Sequence, residues 1–414
     1  MVYLSVFALS AGCFAASESR KLHRDGIRRI LIGIGILLPA ILAGLRAPSV
    51  GTDVETYAAP AYWEASDHAG LIEYLAFCQE GQYEGTLLFD QLFWCVVFLC
   101  SRICPDYHFG LFIYNLLAVV FWYLGLRRCC RLYSLNRKSI AFGMLVFYLF
   151  LYNASLTYMR MSIAVALVFY ALTFLFEKKY LYYGMISVIA IFFHSTAFLS
   201  FAFLVLYLML RRRKDDTMKK DVFKLCLFLM IMVLLILQIE PAITFLVEQG
   251  LLRENYLGYF VGGKYSRYED SSIAYLKAGL KLGLSQKSFR LMCIYFITSI
   301  LFYPYMRKRA DSSLFFPGVA IISCLAAAFS GITADLYRVC YYCIPWIYVD
   351  FLIVGNQLAE NKKKKTCLFM ALIYFIFALL WWNYYYAERG HCETVPYEFY
   401  SYFIEDFNRK NVNG

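Results

Sequence analysis

Long apolar blocks alternate along this chain with short clusters of lysine and arginine. A helix needs about 20 apolar residues to cross a bilayer, and basic clusters stay on the cytoplasmic side. Together these two rules order the chain. Met1–Ala16 leads into a cytoplasmic loop holding Arg20, Lys21, Arg24, Arg28 and Arg29, and Ile30–Leu45 crosses back outward. Arg46 to His108 is the first large outer segment. Phe109–Leu126 then runs in, Ile140–Leu151 out and Arg160–Phe176 in. Farther on, Val222–Ile239 crosses outward and Glu240 to Arg290 forms a second outer segment. Leu291–Met306, Leu314–Thr333, Arg338–Val354 and Cys367–Trp382 complete the set. The tail, Asn383 to Gly414, is aromatic and mixed in charge, and is expected at the outer interface.

Two stretches need a separate decision. Leu87–Ile103 is apolar, but a crossing there would put Arg127, Arg128, Arg131, Arg137 and Lys138 outside, so it reads as an interfacial or re-entrant helix. Tyr180 to Leu210 lies between Lys178-Lys179 and Arg211-Arg212-Arg213-Lys214. With both basic clusters cytoplasmic, it starts and ends on one side, as a hairpin of two short helices turning near His194 and Ser195. The pattern therefore predicts an all-α polytopic membrane protein of about ten crossings plus the hairpin. Residues 1–414 are expected to form one integral-membrane domain with larger extracytoplasmic loops at 46–108 and 240–290 and an extracytoplasmic tail at 383–414.

Composition agrees: 61% of residues are hydrophobic and 17% charged, and mean hydropathy is +0.56, which excludes a soluble fold. The net charge of +11 is the basic excess of the cytoplasmic loops, so no nucleic-acid partner is expected. Most of the 14 cysteines lie in apolar runs, and none pairs with histidine at metal-ligand spacing, so no metal site is expected. Cys78, Cys104 and Cys392 fall in outer segments where a disulfide can form, but free thiols are the expectation. No basic residue precedes the first apolar block, so it reads as an anchor and not a cleaved signal.

Polar residues at the outer helix ends are the candidates for chemistry. Arg46 stands where the second helix leaves the membrane, and Gly51, Asp53, Glu55 and Tyr57 follow it. Arg160 opens one apolar block, and Asp335-Leu-Tyr337-Arg338 opens another. Arg46, Arg160 and Arg338 thus share one membrane face, and a cluster of guanidinium forks suits a diphosphate. The bland alternative is interfacial arginines bound to lipid phosphate. His194 interrupts an apolar run as a base would, but a lone histidine there is more often a hydrogen-bonded packing residue. Asp350, inside a late apolar block, is expected to pair with a neighbour.

Three elements resemble the EpsG family of Wzy-type polysaccharide polymerases: Arg46-x4-Gly51-Thr-Asp53-x3-Tyr57, Arg160-Met-Ser-Ile-Ala and Phe193-His194-Ser-Thr-Ala197. The resemblance covers about Met1 to Trp382. It implies a glycosyltransferase, similar to the GT-C type, in the bacterial cytoplasmic (inner) membrane with its active site extracytoplasmic. Such an enzyme joins undecaprenyl-diphosphate-linked oligosaccharide repeat units into exopolysaccharide or capsule at the outer leaflet, without nucleotide sugar or cofactor. Its partners would be the lipid-linked oligosaccharide, membrane lipid, a flippase and a chain-length regulator. Arg46, Arg160 and Arg338 would bind the diphosphate, His194 or Asp53 would act as base, and Tyr57, Asp335 and Tyr268 would contact sugar. The rival readings are an O-antigen-ligase-like glycan transferase and a lipid-linked oligosaccharide flippase.

The topology makes a direct prediction. In a cysteine-free background, single cysteines replacing Arg24, Arg131, Lys214, Arg309 and Lys364 should resist an impermeant maleimide, while those replacing Asp67, Ser266 and Asn411 should react. Labelling at position 131 from outside would make Leu87–Ile103 a crossing and undo the hairpin.

Overall fold

The structure is a computed structural model. It describes residues 2–19, 25–46, 53–78, 91–136, 139–211, 217–237, 287–307, 312–330 and 334–360, with isolated positions between 245 and 284 and at 366. Cys367–Trp382, the tail, Cys392, and most of 240–290 including Tyr268 lie outside the described residues. Among the described residues every regular element is helical. Four helices are long and apolar enough to cross a membrane, namely Asp25–Gly44, Tyr107–Leu132, Met159–Phe176 and Arg338–Leu358, and several shorter apolar helices accompany them. The protein is an all-helical membrane protein.

The helices fall into two compact units divided after Phe198. The first contains α1 (Val2–Ser17), α2 (Asp25–Gly44), a π-helical turn (Val54–Ala58), α3 (Ala59–Asp67) and α4 (Leu71–Phe77). It continues with α5 (Gln91–Ile103), α6 (Tyr107–Leu132), α7 (Ser139–Phe150), α8 (Tyr152–Thr157), α9 (Met159–Phe176), α10 (Tyr180–Phe193) and a 3-10 turn (Ser195–Phe198). The second holds α11 (Leu199–Leu210), α12 (Met218–Leu237), α13 (Lys287–Met306), α14 (Phe315–Phe329) and α15 (Ala334–Glu360).

Within the first unit α9 is the central helix, buried along nearly its whole length between α6 and α10. Its approach to α6 depends on Gly125, where a Cβ would stand 2.5–2.6 Å from atoms of the Phe169 ring. Beside them, α2 carries Pro39, which has no N–H to give the carbonyl of Gly35 one turn back. Ser10 of α1 supplies that donor, its Oγ lying 2.5 Å from the Gly35 oxygen. Because the single hydroxyl hydrogen of Ser10 is spent there, Tyr148 of α7 must donate to Ser10, 2.6 Å away. Tyr152 of α8 donates to the Pro39 carbonyl at 2.6 Å. Every side chain in this knot is buried.

The turn from α9 to α10 is equally specified. Lys178 and Lys179 donate backbone hydrogen bonds to the carbonyls of Leu175 and Phe174, both at 2.9 Å, and Lys178 takes φ 62. This is the left-handed C-terminal cap more usual for glycine. Glu177 accepts from Lys179 and Arg128, each 2.8 Å away, and Arg128 also donates to Thr173 and lies 3.6 Å over the Phe174 ring. Burial pushes the Glu177 carboxyl up, but its bond to Lys179 and the charge of Arg128 outweigh this and hold it below the ordinary carboxylate range.

α5 has 13 residues, a rise of about 20 Å against a hydrocarbon core of about 30 Å. It packs on α3, α4, α6 and α10 and leaves Leu99 and Ile103 exposed. Tyr180–Leu210 is two short helices, with the break at His194, where the backbone becomes extended. α10 packs on α9 within the first unit, and α11 on α12 and α14 within the second. In the second unit, the buried Asp221 of α12 accepts from Tyr303 at 2.7 Å and from Arg307 at 2.9 Å. Asp350 of α15 accepts from Ser299 of α13 at 3.0 Å. Cys78 and Cys104 are free thiols.

The α6–α9 crossing can be tested. Gly125→Ala gains helix propensity but overpacks the Phe169 ring, a clash that costs about 1–3 kcal/mol. The variant should unfold at lower temperature in detergent, and a Phe169→Leu background should remove most of the loss. Unchanged melting of Gly125→Ala would mean that the helices do not meet this closely.

Candidate active site

The site grows from the end of α2. A Cβ at Gly44 would meet Phe112 Cβ at 2.8 Å and the His108 carbonyl at 3.2 Å, so the last turn of α2 lies directly against the first turn of α6. Two residues later Arg46 turns inward and is 0% exposed. Its Nη2 lies 3.3 Å from Met159 Sδ, while Nε and Nη1 have no hydrogen-bond partner among the described residues. Burial lowers the Arg46 pKa, and charge interactions with Tyr3, Tyr152, Asp53 and Tyr107 oppose that. A buried cation is normally paired, because desolvating it alone is expensive.

Met159 brings Arg46 to Arg160, the next residue of α9. The Arg160 guanidinium lies over the ring of Tyr57, 4.7 Å from its centroid, and 5.6 Å from that of Trp94. Those two rings meet edge to face at 6.2 Å. One turn of the π-helical segment sets Tyr57 above Asp53, and its hydroxyl donates to Asp53 Oδ2 at 2.5 Å. Burial raises the Tyr57 pKa first, and Asp53 raises it further against the partial opposition of Arg160, so the phenol keeps its proton and remains a donor. Arg46, Asp53, Tyr57 and Arg160, distant in sequence, therefore form one cluster.

His194 ends α10. The short turn Glu177–Lys179 folds α10 back along α9, and the 14 residues of α10 rise about 21 Å. His194 thus returns toward the first turns of α9, on which the Ser195–Phe198 turn packs. The backbone N–H of Thr196 donates to His194 Nδ1 at 3.2 Å, and Thr196 Oγ1 is 2.7 Å from the same nitrogen. A backbone N–H can only donate, so Nδ1 carries the lone pair and the neutral ring holds its proton on Nε2.

Two of the remaining expected residues belong to the second unit. Arg338 is half-buried near the start of α15 in the second unit, and Asp335 occupies the first turn of the same helix. Tyr268 lies outside the described residues. Trp94 is the participant that the sequence did not single out. It sits in an aromatic-rich stretch, and the one available signal was that a helix too short to cross must turn its buried face to something else.

The apolar helices, with the family match that follows, make this a membrane protein of polysaccharide biosynthesis. The EpsG family profile matches residues 29–399. The chain belongs to the EpsG family, a family of Wzy-type polysaccharide polymerases, which act on lipid-linked oligosaccharide. No curated protein and no solved structure matches the chain.

The aromatic cradle gives the site its own test. A cation–π contact is worth about 0.5–2 kcal/mol, so Trp94→Leu should lower polymer formation per folded protein by about 2- to 30-fold. Trp94→Phe should retain most activity. Full turnover in Trp94→Leu would show that Arg160 needs no aromatic support there.

Proposed function

We propose that the protein joins repeat units carried on undecaprenyl diphosphate into a cell-surface polysaccharide, at the outer leaflet of the bacterial cytoplasmic membrane. The observation that carries this reading is the Arg46–Arg160 pair. Arg46 is a buried guanidinium with two nitrogens unsatisfied among the described residues, and the Arg160 guanidinium lies over the rings of Tyr57 and Trp94. A diphosphate supplies the anionic oxygens that Arg46 lacks, displacing its cover on entry.

In the reaction, a hydroxyl of the acceptor sugar attacks the anomeric carbon of the donor unit. The bond from that carbon to the diphosphate oxygen breaks, and the lipid diphosphate leaves with the bonding electrons. Arg46 and Arg160 stabilise the charge that develops on that oxygen. The hydroxyl proton passes to a base, and Asp53 suits this role better than His194. Asp53 is a carboxylate oriented by the Tyr57 hydroxyl, whereas the neutral His194 ring holds its proton on Nε2 and is set to donate. His194 then serves as a hydrogen-bond donor to sugar or phosphate. The reading requires only groups of the first unit, and variants of Arg338 and Asp335 test separately whether the second unit contributes.

Purified protein given synthetic undecaprenyl-diphosphate repeat units should elongate them without nucleotide sugar or added metal. Arg46→Ala and Arg160→Ala should each lose on the order of 10²–10³ in turnover, and Arg160→Lys should recover little. Arg46→Met should melt at a higher temperature than the wild type while losing turnover, since it removes a buried guanidinium that is left with two unsatisfied nitrogens among the described residues. Wild-type turnover in Arg46→Met would end the diphosphate assignment. In cells, deletion should leave single repeat units on the carrier at the outer leaflet, and their accumulation at the inner leaflet would indicate a flippase.

A further inference from the structure

Trp63 projects from α3 with 52% of its surface exposed, while Ala61, Tyr62 and Ala65 around it are buried. It is an exposed ring beside the packed positions of the helix. Its partner is Tyr107, at the first position of α6, 5.8 Å away with the ring planes at 81°. The two rings thus form the walls of a corner. Tyr107 continues into His108, whose ring lies 4.1 Å from it at 35°. Asp106 fixes His108 in place, accepting from its backbone N–H at 3.0 Å with Nδ1 at 2.6 Å from the same carboxylate oxygen. Asp67 stands exposed on α3, one turn beyond Trp63.

Flat apolar faces bordered by a carboxylate, here that of the exposed Asp106, are the chemistry that binds a pyranose. The ring's axial C–H face packs on an aromatic, and its equatorial hydroxyls reach the polar rim. A lipid tail matches the walls but not that rim. The corner also has a fixed relation to the candidate active site. α2 touches α6 at His108 and Phe112 through Gly44, and Arg46 follows two residues later. In a lipid-linked oligosaccharide the first sugar is bonded directly to the diphosphate, so a sugar site has to adjoin a diphosphate site.

We propose that Trp63 and Tyr107 form a stacking subsite for a sugar ring of the lipid-linked oligosaccharide, beside the place where Arg46 meets its diphosphate. This rests on the proposed reaction for its substrate class. Trp63 binds here and does not take part in bond making.

The test uses full-length protein in detergent and, as probe, the repeat-unit oligosaccharide released from its carrier by mild acid. Saturation-transfer NMR should show the probe binding to wild type and to Trp63→Phe. Trp63→Leu should weaken it by about tenfold, the scale of one aromatic contact. In elongation assays the same variant should lose activity chiefly through a raised KM. Leucine keeps an apolar surface, so a merely interfacial tryptophan would leave both readouts unmoved, and that result overturns the subsite. Elongation with a wild-type KM in Trp63→Leu removes the subsite and leaves the polymerase. Trp63-dependent oligosaccharide binding without any elongation removes the polymerase and leaves the subsite.

Discussion

A proline inside a membrane helix leaves a carbonyl with no donor, and hydrocarbon offers no water to replace it. In the first unit this single deficit, at Gly35, draws α1, α7 and α8 onto α2. Ser10 supplies the missing hydrogen bond, Tyr148 satisfies Ser10, and Tyr152 binds the carbonyl of Pro39 itself. The end of α2 is positioned by that knot and by the contact of Gly44 with α6. Arg46 therefore enters the protein interior at a place set by backbone hydrogen bonding several turns away. Tyr152, one member of the knot, is also among the groups acting on the Arg46 charge.

The site is built against local stability. Arg46 is held inside with two nitrogens unsatisfied, and its nearest polar contact is a thioether. Elsewhere the same chain pairs its charges carefully. Glu177 answers Arg128 and Lys179, and Asp221 answers Arg307 and Tyr303. Among the described residues Arg46 is thus a buried cation with two nitrogens left without a hydrogen bond. Arg160 is treated differently: its guanidinium lies over the rings of Tyr57 and Trp94. The two arginines are thus prepared by unlike means, one by burial and one by stacking.

Much of this was legible in the sequence because it depends on short-range rules. Arg46, Asp53, Tyr57 and Arg160 stood out as polar residues at the ends of apolar blocks, and those ends do meet. The break at His194 and the shortness of α5 followed from charge parity and length. Trp94 and Trp63 were not legible, because among so many aromatics only three-dimensional packing separates a buried ring from a working one. The tautomer of His194 was also beyond reach, since it depends on the direction of one backbone N–H from Thr196.

Lys178 carries one last consequence. At φ 62 a side chain is disfavoured, and glycine would hold the same turn with less strain. A lysine there adds a positive charge to the connection between two apolar helices. Such charges decide the orientation in which helices enter a bilayer, while the chain is being inserted and before any of its tertiary contacts exist. The cost falls on the finished protein and the benefit on its biogenesis, so a scan of stabilising substitutions would favour glycine at a position where the nascent chain has a use for lysine.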